Sequence, residues 1–461
     1  MLDDIISARK AHFADGVQTV MRGHENRSRR VVLMKGNLVS NGRSESRGIS
    51  ARVTKNGRCG FASIASYTPE DAETVLKAAT ENAVFIDKRA KAPRITYPAL
   101  PYAETPVNRP IVDTEQKRLI EAVKALDDYI AGRYPDLLSR TVVYTEDSQD
   151  KIIVTSDAAS GHVTYPRCYI YVMMTAESDS GAPVELFEAF GGAGSFDDNF
   201  SDLSSMYPDI EKLYRQLMDK KHGIYAEAGN KAVILGGFMS GMLSHEAVGH
   251  TVEADLVMGG SVAGPNLNKQ VAAECITLVD FANVAFGKTA PLPVYLDDEG
   301  TVAKDVVLIE NGILTGFMNS RDTAQRFGME PLGNARAWAF NDEPLIRMRN
   351  TCIVPGRYSL EEMIESIDDG YYLISSGNGQ ADLTGEFMFG VTMGYEIKKG
   401  KLGRALLDTT VSGIAFDMLK TVDMVSENVT WSSSGFCGKK QMMPVGMGGP
   451  EIKCRINIGG R

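Results

Sequence analysis

In the stretch LSHEAVGHT, Leu243 to Thr251, two imidazoles stand five residues apart, His245 and His250, with Glu246 directly after the first. Imidazole nitrogens bind zinc and similar ions, and a carboxylate beside such an ion can accept a proton from water. With only six histidines in 461 residues, chance would produce this triplet about 0.01 times per chain, so coincidence explains it poorly. On a regular α-helix, positions five apart diverge by about 140°, whereas positions four apart diverge by about 40°. A straight helix would therefore aim the rings away from each other. The spacing predicts a local deformation: a π-bulge, an end of the helix near Gly249 that presents His250 from a turn, or side-chain reach that closes part of the gap. The alternative is a pair of core histidines bonded to backbone, the commoner fate of a single histidine.

Two imidazoles leave a catalytic zinc one protein ligand short. Candidates are Glu253, Asp255 and a cysteine. Glu253 lies three residues past His250 and is equally suited to orienting a histidine, while Asp255 also reads as a surface or supporting carboxylate. Of the six cysteines, Cys454 sits in EIKCRINIG, where Ile452, Cys454, Ile456 and Ile458 alternate onto one strand face, as a small apolar side chain would. Cys437, in SSSGFCGKKQMMPVG, is flanked by glycine and lysine on a loop, where a cation and a metal both favour thiolate. It is the better third ligand, and no C-x-x-C pair suggests a disulfide framework or zinc ribbon.

The elements that must position these residues are legible in part. Asn56-Gly57 is a hairpin signal between apolar segments, and Thr68-Pro69-Glu70-Asp71 opens a helix running to about Ile86. Leu119, Val123, Leu126 and Ile130 mark a second helix from Asp113 or Thr114. RTVVYTE, KIIVTSD and CYIYVMMTAES read as three strands of an antiparallel meander. EAFGGAGSFDDNFSD reads as a loop whose glycines form a flexible turn, since no Gly-Lys-Ser/Thr follows; DIEKLYRQLMDKK is helical. KAVILGG is a buried strand feeding the histidine helix, along which Gly241, Ser244, Ala247 and Gly249 let other backbone come close. The fold expected is α+β: an N-terminal α+β domain over 1–215 with an antiparallel sheet, and a β-rich, barrel- or sandwich-like domain over 216–461 that carries the metal-site helix.

Composition narrows the function. With 43% hydrophobic and 23% charged residues the chain is an ordinary globular protein, and its net charge of −10 gives no general attraction for nucleic acid or anionic lipid. The start MLDDIISARKAHF lacks a signal-peptide pattern and no window is long and apolar enough to span a bilayer, so a cytoplasmic location is expected.

HEAVGHTVEADLV, together with SRGISARVTKNGRCGFASIAS, GNARAW, RMRNTCIVPG, SSGNGQADLTGEFMFGV and GFCGKKQMMPVGMGGP in that order, resembles the TldD/PmbA family from about residue 15 almost to the C-terminus. The resemblance implies a cytoplasmic metalloprotease acting on unfolded peptides, dimeric, with a catalytic TldD-type subunit that carries H-E-x-x-x-H and pairs with itself or with a PmbA-type subunit. Carried over by position, His245, His250 and Cys437 match the ligands of one Zn2+ per chain and Glu246 the catalytic glutamate. The reaction expected is peptide hydrolysis by metal-activated water with Glu246 as general base, on peptides captured by strand addition near GNGQADLTGEFMFGV, unless that segment is an ordinary core hairpin. The alternative is a scaffold subunit with a structural metal, in which Glu253 or Asp255 would close the site.

Overall fold

The computed structural model describes residues 5–7, 9–91, 93–102 and 109–459. Asn56 and Gly57 both adopt positive φ, 52° and 75°, and close a two-residue hairpin between strands β2 (Asn37–Lys55) and β3 (Arg58–Ile64). Lys35 and Gly36 repeat the device between β1 (Gln18–Met34) and β2. With β4 (Ser139–Thr155), β5 (Gly161–Glu177) and β6 (Pro183–Ala193) these form a six-stranded antiparallel sheet in the order β3-β2-β1-β4-β5-β6.

Three expectations need correction. RTVVYTE and KIIVTSD are one continuous strand, β4, because their polar junction pairs with the equally polar middle of β1. EAFGGA belongs to β6, and Gly191 sits where a Cβ would stand 2.3 Å from the Cys168 carbonyl oxygen, so close packing rather than looseness explains that glycine. The helix Tyr207–Lys221 crosses position 215, and its buried Ile210, Leu213 and Leu217 join the N-terminal core, so the chain leaves that core only after the helix ends.

Helices cover one face of the sheet at two places. Pro69–Arg89, capped by Thr68 as expected, buries Ala72, Val75, Leu76 and Ala79 against Ile49, Ala51 and Val53. Gly60 lets it approach, since a Cβ there would lie 2.2 Å from the Ala79 oxygen. Gln116–Arg133 buries the expected Leu119, Val123, Leu126 and Ile130 beside Val142 and Ile170.

The second half builds around a closed ring. Gly229–Leu235, Ile452–Gly459, Thr409–Ile414, Glu386–Lys398 and Asp369–Ala381 pair in succession, and Asp369–Ala381 returns to Gly229–Leu235. This is the barrel expected of the β-rich half. A second sheet, including Leu278–Phe281, Val306–Glu310, Asn350–Ile353 and Gly446–Gly449, stands across from it. The histidine segment is packed between the two. Among the described residues no helix is long and apolar enough to cross a membrane.

The two halves meet through polar groups. Buried Asp298 accepts from Arg22 and Lys151, each at 2.9 Å, and Arg22 and Lys151 also donate to the carbonyls of Asp342 and Ala337. His24 is buried in this cluster, and burial, followed by the charges of Lys151 and Arg22, holds its pKa well below the usual histidine value. The sign follows from proton uptake. Below about pH 6.5 the unfolded chain binds a proton at this residue that the folded chain refuses, so the folded state loses stability as pH falls. Thermal unfolding between pH 7 and 5 should show the midpoint falling on acidification, and falling less in H24Q; equal slopes would contradict this.

Candidate metal centre

Gly229–Leu235 runs directly into a short helix, Gly237–Met242, which becomes a π-helix over Leu243–Gly249 and then a 3-10 turn, His250–Val252. The His250 amide N–H donates to the His245 carbonyl, a hydrogen bond five residues long. That bond brings the two histidines onto one side of the coil, in the first of the three forms the spacing allowed. Their ring centroids are 5.2 Å apart with planes at 79°.

Small residues allow the deformed coil to sit this deep. A Cβ on Gly241 would lie 3.0 Å from the Gly448 backbone nitrogen, and one on Gly249 would lie 2.1 Å from Met348 Sδ. Ser240 Oγ donates to the Pro450 carbonyl at 2.6 Å, fastening the helix to the strand beside it.

Cys437 arrives from far along the chain on the short strand Phe436–Cys437, buried, with Sγ 3.3 Å from His250 Nε2. One donor atom from each of His245, His250 and Cys437 lies within 4.8 Å of the others. Zinc with bonds of about 2.0–2.3 Å separates tetrahedral ligands by roughly 3.3–3.7 Å, so the set has the right scale. Neither ring nitrogen of buried His245 has a hydrogen-bond partner among the described residues. A buried imidazole with both nitrogens idle is costly unless an ion or ligand takes up one of them. The donor set, two imidazoles and a thiolate, suits zinc.

Electrostatics favour the ligand form of the sulfur. Burial alone would raise the Cys437 pKa, but the imidazoles of His245 and His250 beside it pull it down to about 3. The partner effect appears at His250, where burial acts downward yet Cys437 and Glu253 lift the pKa to about 10. Each group thus favours the charged form of the other, thiolate beside imidazolium. The sequence reading assigned the stabilising cation to the neighbouring lysine; instead Lys439 Nζ turns to Asp255 at 2.7 Å and Glu253 at 3.4 Å.

The remaining candidates separate cleanly. Glu253 is fully buried, and its Oε2 accepts from His250 Nδ1 at 2.8 Å, fixing the tautomer that leaves Nε2 facing Cys437. Asp255 is occupied by Lys439. Glu246 is partly exposed at the rim, with Oε2 3.7 Å from His250 Nε2 and Oε1 3.9 Å from His245 Nε2. Cys454 is buried on its alternating strand, as expected. An open groove of about 920 Å³ on the barrel wall, beside Met388, Ile414, Asp417 and Arg455, includes none of the three ligands.

Sequence reasoning missed Met348 and Arg347, which stand under the histidine coil and the cysteine strand respectively. Their only signal was the quoted patch RMRNTCIVPG, in which nothing separates a buried guanidinium from a solvated one. The Glu253 contact generates a prediction: E253Q should weaken zinc binding about 10- to 100-fold in chelator competition, and an unchanged affinity would show that the carboxylate does not orient His250.

Comparison with known proteins bears on the whole chain. Models of the PmbA/TldA metallopeptidase match its domain 1 over residues 21–83, its central domain over 109–235 and its C-terminal domain over 228–460. A metalloprotease of Methanothermobacter thermautotrophicus is 31% identical over 451 residues, covering 94% of this chain and 93% of the relative. A zinc metalloprotease TldD homolog of Saccharolobus solfataricus is 29% identical, covering 92% and 91%. In fold, a Thermotoga maritima protein described as a modulator of a DNA gyrase superposes with a TM-score of 0.76 at 18% identity over 99% of both chains. TldE from Thermococcus kodakarensis does so at 0.74 and 17% over 100% of both. With all three domain models matched in order and near full-length relatives named as metalloproteases, the chain belongs to the PmbA/TldD family of metallopeptidases.

Proposed function

We propose that this chain is a zinc-dependent peptidase of the TldD type, hydrolysing unfolded or extended peptides with Glu246 as general base. The observation that carries the reading is the convergence of His245, His250 and Cys437 with the His245 nitrogens unpartnered and a half-exposed carboxylate at the rim. When bound there, zinc supplies Lewis acidity toward water and toward the scissile carbonyl.

The other steps belong to the chain's own residues. His245, His250 and Cys437 hold the ion, and Glu253 keeps His250 turned through its Nδ1. Glu246, with both oxygens within 3.9 Å of imidazole nitrogens, accepts the proton of the attacking water and returns it to the departing amine. Glu253 and Asp255 face His250 and Lys439, which supports a fourth position left free for water rather than the closed site of a scaffold subunit.

Strand addition suits an extended peptide, because backbone pairing tolerates many sequences. Asp369–Ala381 pairs with Gly229–Leu235 only through Gly370–Leu373, which leaves the rest of that edge, Ser375 onward, outside this ladder. The free edge passes the histidine helix: a Cβ on Gly379 would stand 3.2 Å from Met242 Sδ, one turn before Glu246. Phe387 and Phe389 are buried and hold the hairpin to the core, while Met388 between them is exposed. The resemblance adds a dimer, of two copies or with a PmbA-type subunit, working in the cytoplasm.

E246Q should retain stoichiometric zinc while its hydrolysis of an unstructured peptide drops by about 10²- to 10⁴-fold. Unaltered turnover in that variant would remove the general base from the mechanism and favour the scaffold reading.

A further inference from the structure

Arg347 is fully buried, and among the described residues it forms no ion pair. Buried Arg336 shares this feature, whereas Arg22 meets Asp298, Arg167 meets Asp147, Arg321 meets Asp157 and Arg349 meets Asp280. A guanidinium held in the interior without a counter-ion is costly unless carbonyl oxygens face it. Its two terminal nitrogens go to one segment, while Nε has no hydrogen-bond partner among the described residues. One terminal nitrogen donates to the Cys437 carbonyl at 2.7 Å, and the other to the carbonyls of Gln441 at 2.8 Å and Lys439 at 3.3 Å.

Residues 437–441 are bent to make this possible. Lys440 takes a positive φ of 56°, and the Gln441 N–H donates to the Lys439 carbonyl at 2.6 Å, closing a three-residue turn. Three carbonyls at alternate positions thereby face one planar fork, a geometry a guanidinium satisfies and an ammonium cannot. The same short stretch of chain carries two further contacts. Ile346 accepts from Lys439 Nζ at 3.2 Å, and Met348 fills the space where Gly249 has no side chain, directly before His250. Residues 346–348 therefore touch the cysteine segment on one side and the histidine coil on the other, and no other bond among those described joins the Cys437 carbonyl to this stretch.

We propose that Arg347 is a positioning residue for the metal centre: it fixes the distance between the Cys437 thiolate and the two imidazoles. The inference rests on the reading of His245, His250 and Cys437 as metal ligands. Arg347 touches no substrate and acts through the backbone of Cys437. Without the fork, the three carbonyls lose their shared donor, and the Cys437–Met443 pairing and the Lys439 contacts hold the sulfur less tightly in its place 3.3 Å from His250 Nε2.

The test uses the full chain loaded with cobalt(II), whose thiolate charge-transfer absorption reports the sulfur bond, together with zinc affinity by chelator competition. R347K keeps the charge and loses the fork; R347Q keeps an amide donor and loses the charge. Both are placed in the native chain and in a C437S background. The native chain should show the charge-transfer band. R347K and R347Q should lose at least half of its intensity and bind zinc about tenfold or more weakly, with cooperative unfolding of the metal-free protein retained. In C437S, where there is no thiolate to position, the same substitutions should change affinity less than twofold. A native chain with no band and no zinc would overturn the ligand reading itself. A native band that persists at full intensity in both variants, equal losses in the C437S background, or failure of both variants to fold without metal would instead overturn the role given to Arg347.

Discussion

One backbone hydrogen bond, from the His250 amide to the His245 carbonyl, governs the geometry of everything around it. By spanning five residues it widens the coil just enough to place both rings on one side, and a regular helix through the same residues would divide them. A π-turn is a weak local conformation, so its neighbours must hold it. Gly241 against the Gly448 backbone, Gly249 over Met348 and Ser240 bonded to Pro450 are those neighbours. The barrel and the second sheet supply the walls, and the strand Asp369–Ala381 that passes the histidine helix is one of the barrel's own.

Charge is then arranged in layers outward from the centre. Cys437 and His250 stand 3.3 Å apart, each favouring the charged form of the other; Glu253 stands behind His250, and Lys439 behind Glu253 and Asp255. Each of these charges faces a partner of opposite sign, which offsets the cost of keeping ionised groups in the interior. The N-terminal sheet joins this order rather than merely covering it. Tyr169 and Tyr171 donate to the carbonyls of Ser433 and Ser434, and the Arg167 guanidinium lies over the Phe436 ring at 4.5 Å, immediately before Cys437. The segment bearing the third ligand is thus held from both halves of the molecule.

Much of this was legible in the residues. The five-residue spacing, a low-probability arrangement with a geometric objection attached, forced the expectation of a deformed helix. Alternation separated Cys454 from Cys437, and Asn56-Gly57 and Thr68-Pro69 marked a turn and a cap through local backbone preferences that need no tertiary context. What stayed hidden depends on contacts distant in sequence. RTVVYTE and KIIVTSD merge because β1 pairs across their polar junction, and Gly191 is a close-approach glycine only because Cys168 lies beneath it. Lys439 lies two residues from Cys437 in sequence yet serves Asp255, since a side chain five bonds long follows a carboxylate within reach rather than its sequence neighbour. The roles of Met348 and Arg347 exist only once two segments some 90 to 100 residues apart have met.

The account stands on a single cation shared by two imidazoles and one sulfur. X-ray absorption at the zinc edge of the purified chain measures that shell directly. Two nitrogen scatterers at about 2.0 Å with one sulfur at about 2.3 Å, and a light atom completing four, is the result the structure predicts. A shell of nitrogen and oxygen alone, or one containing more than one sulfur, would contradict it.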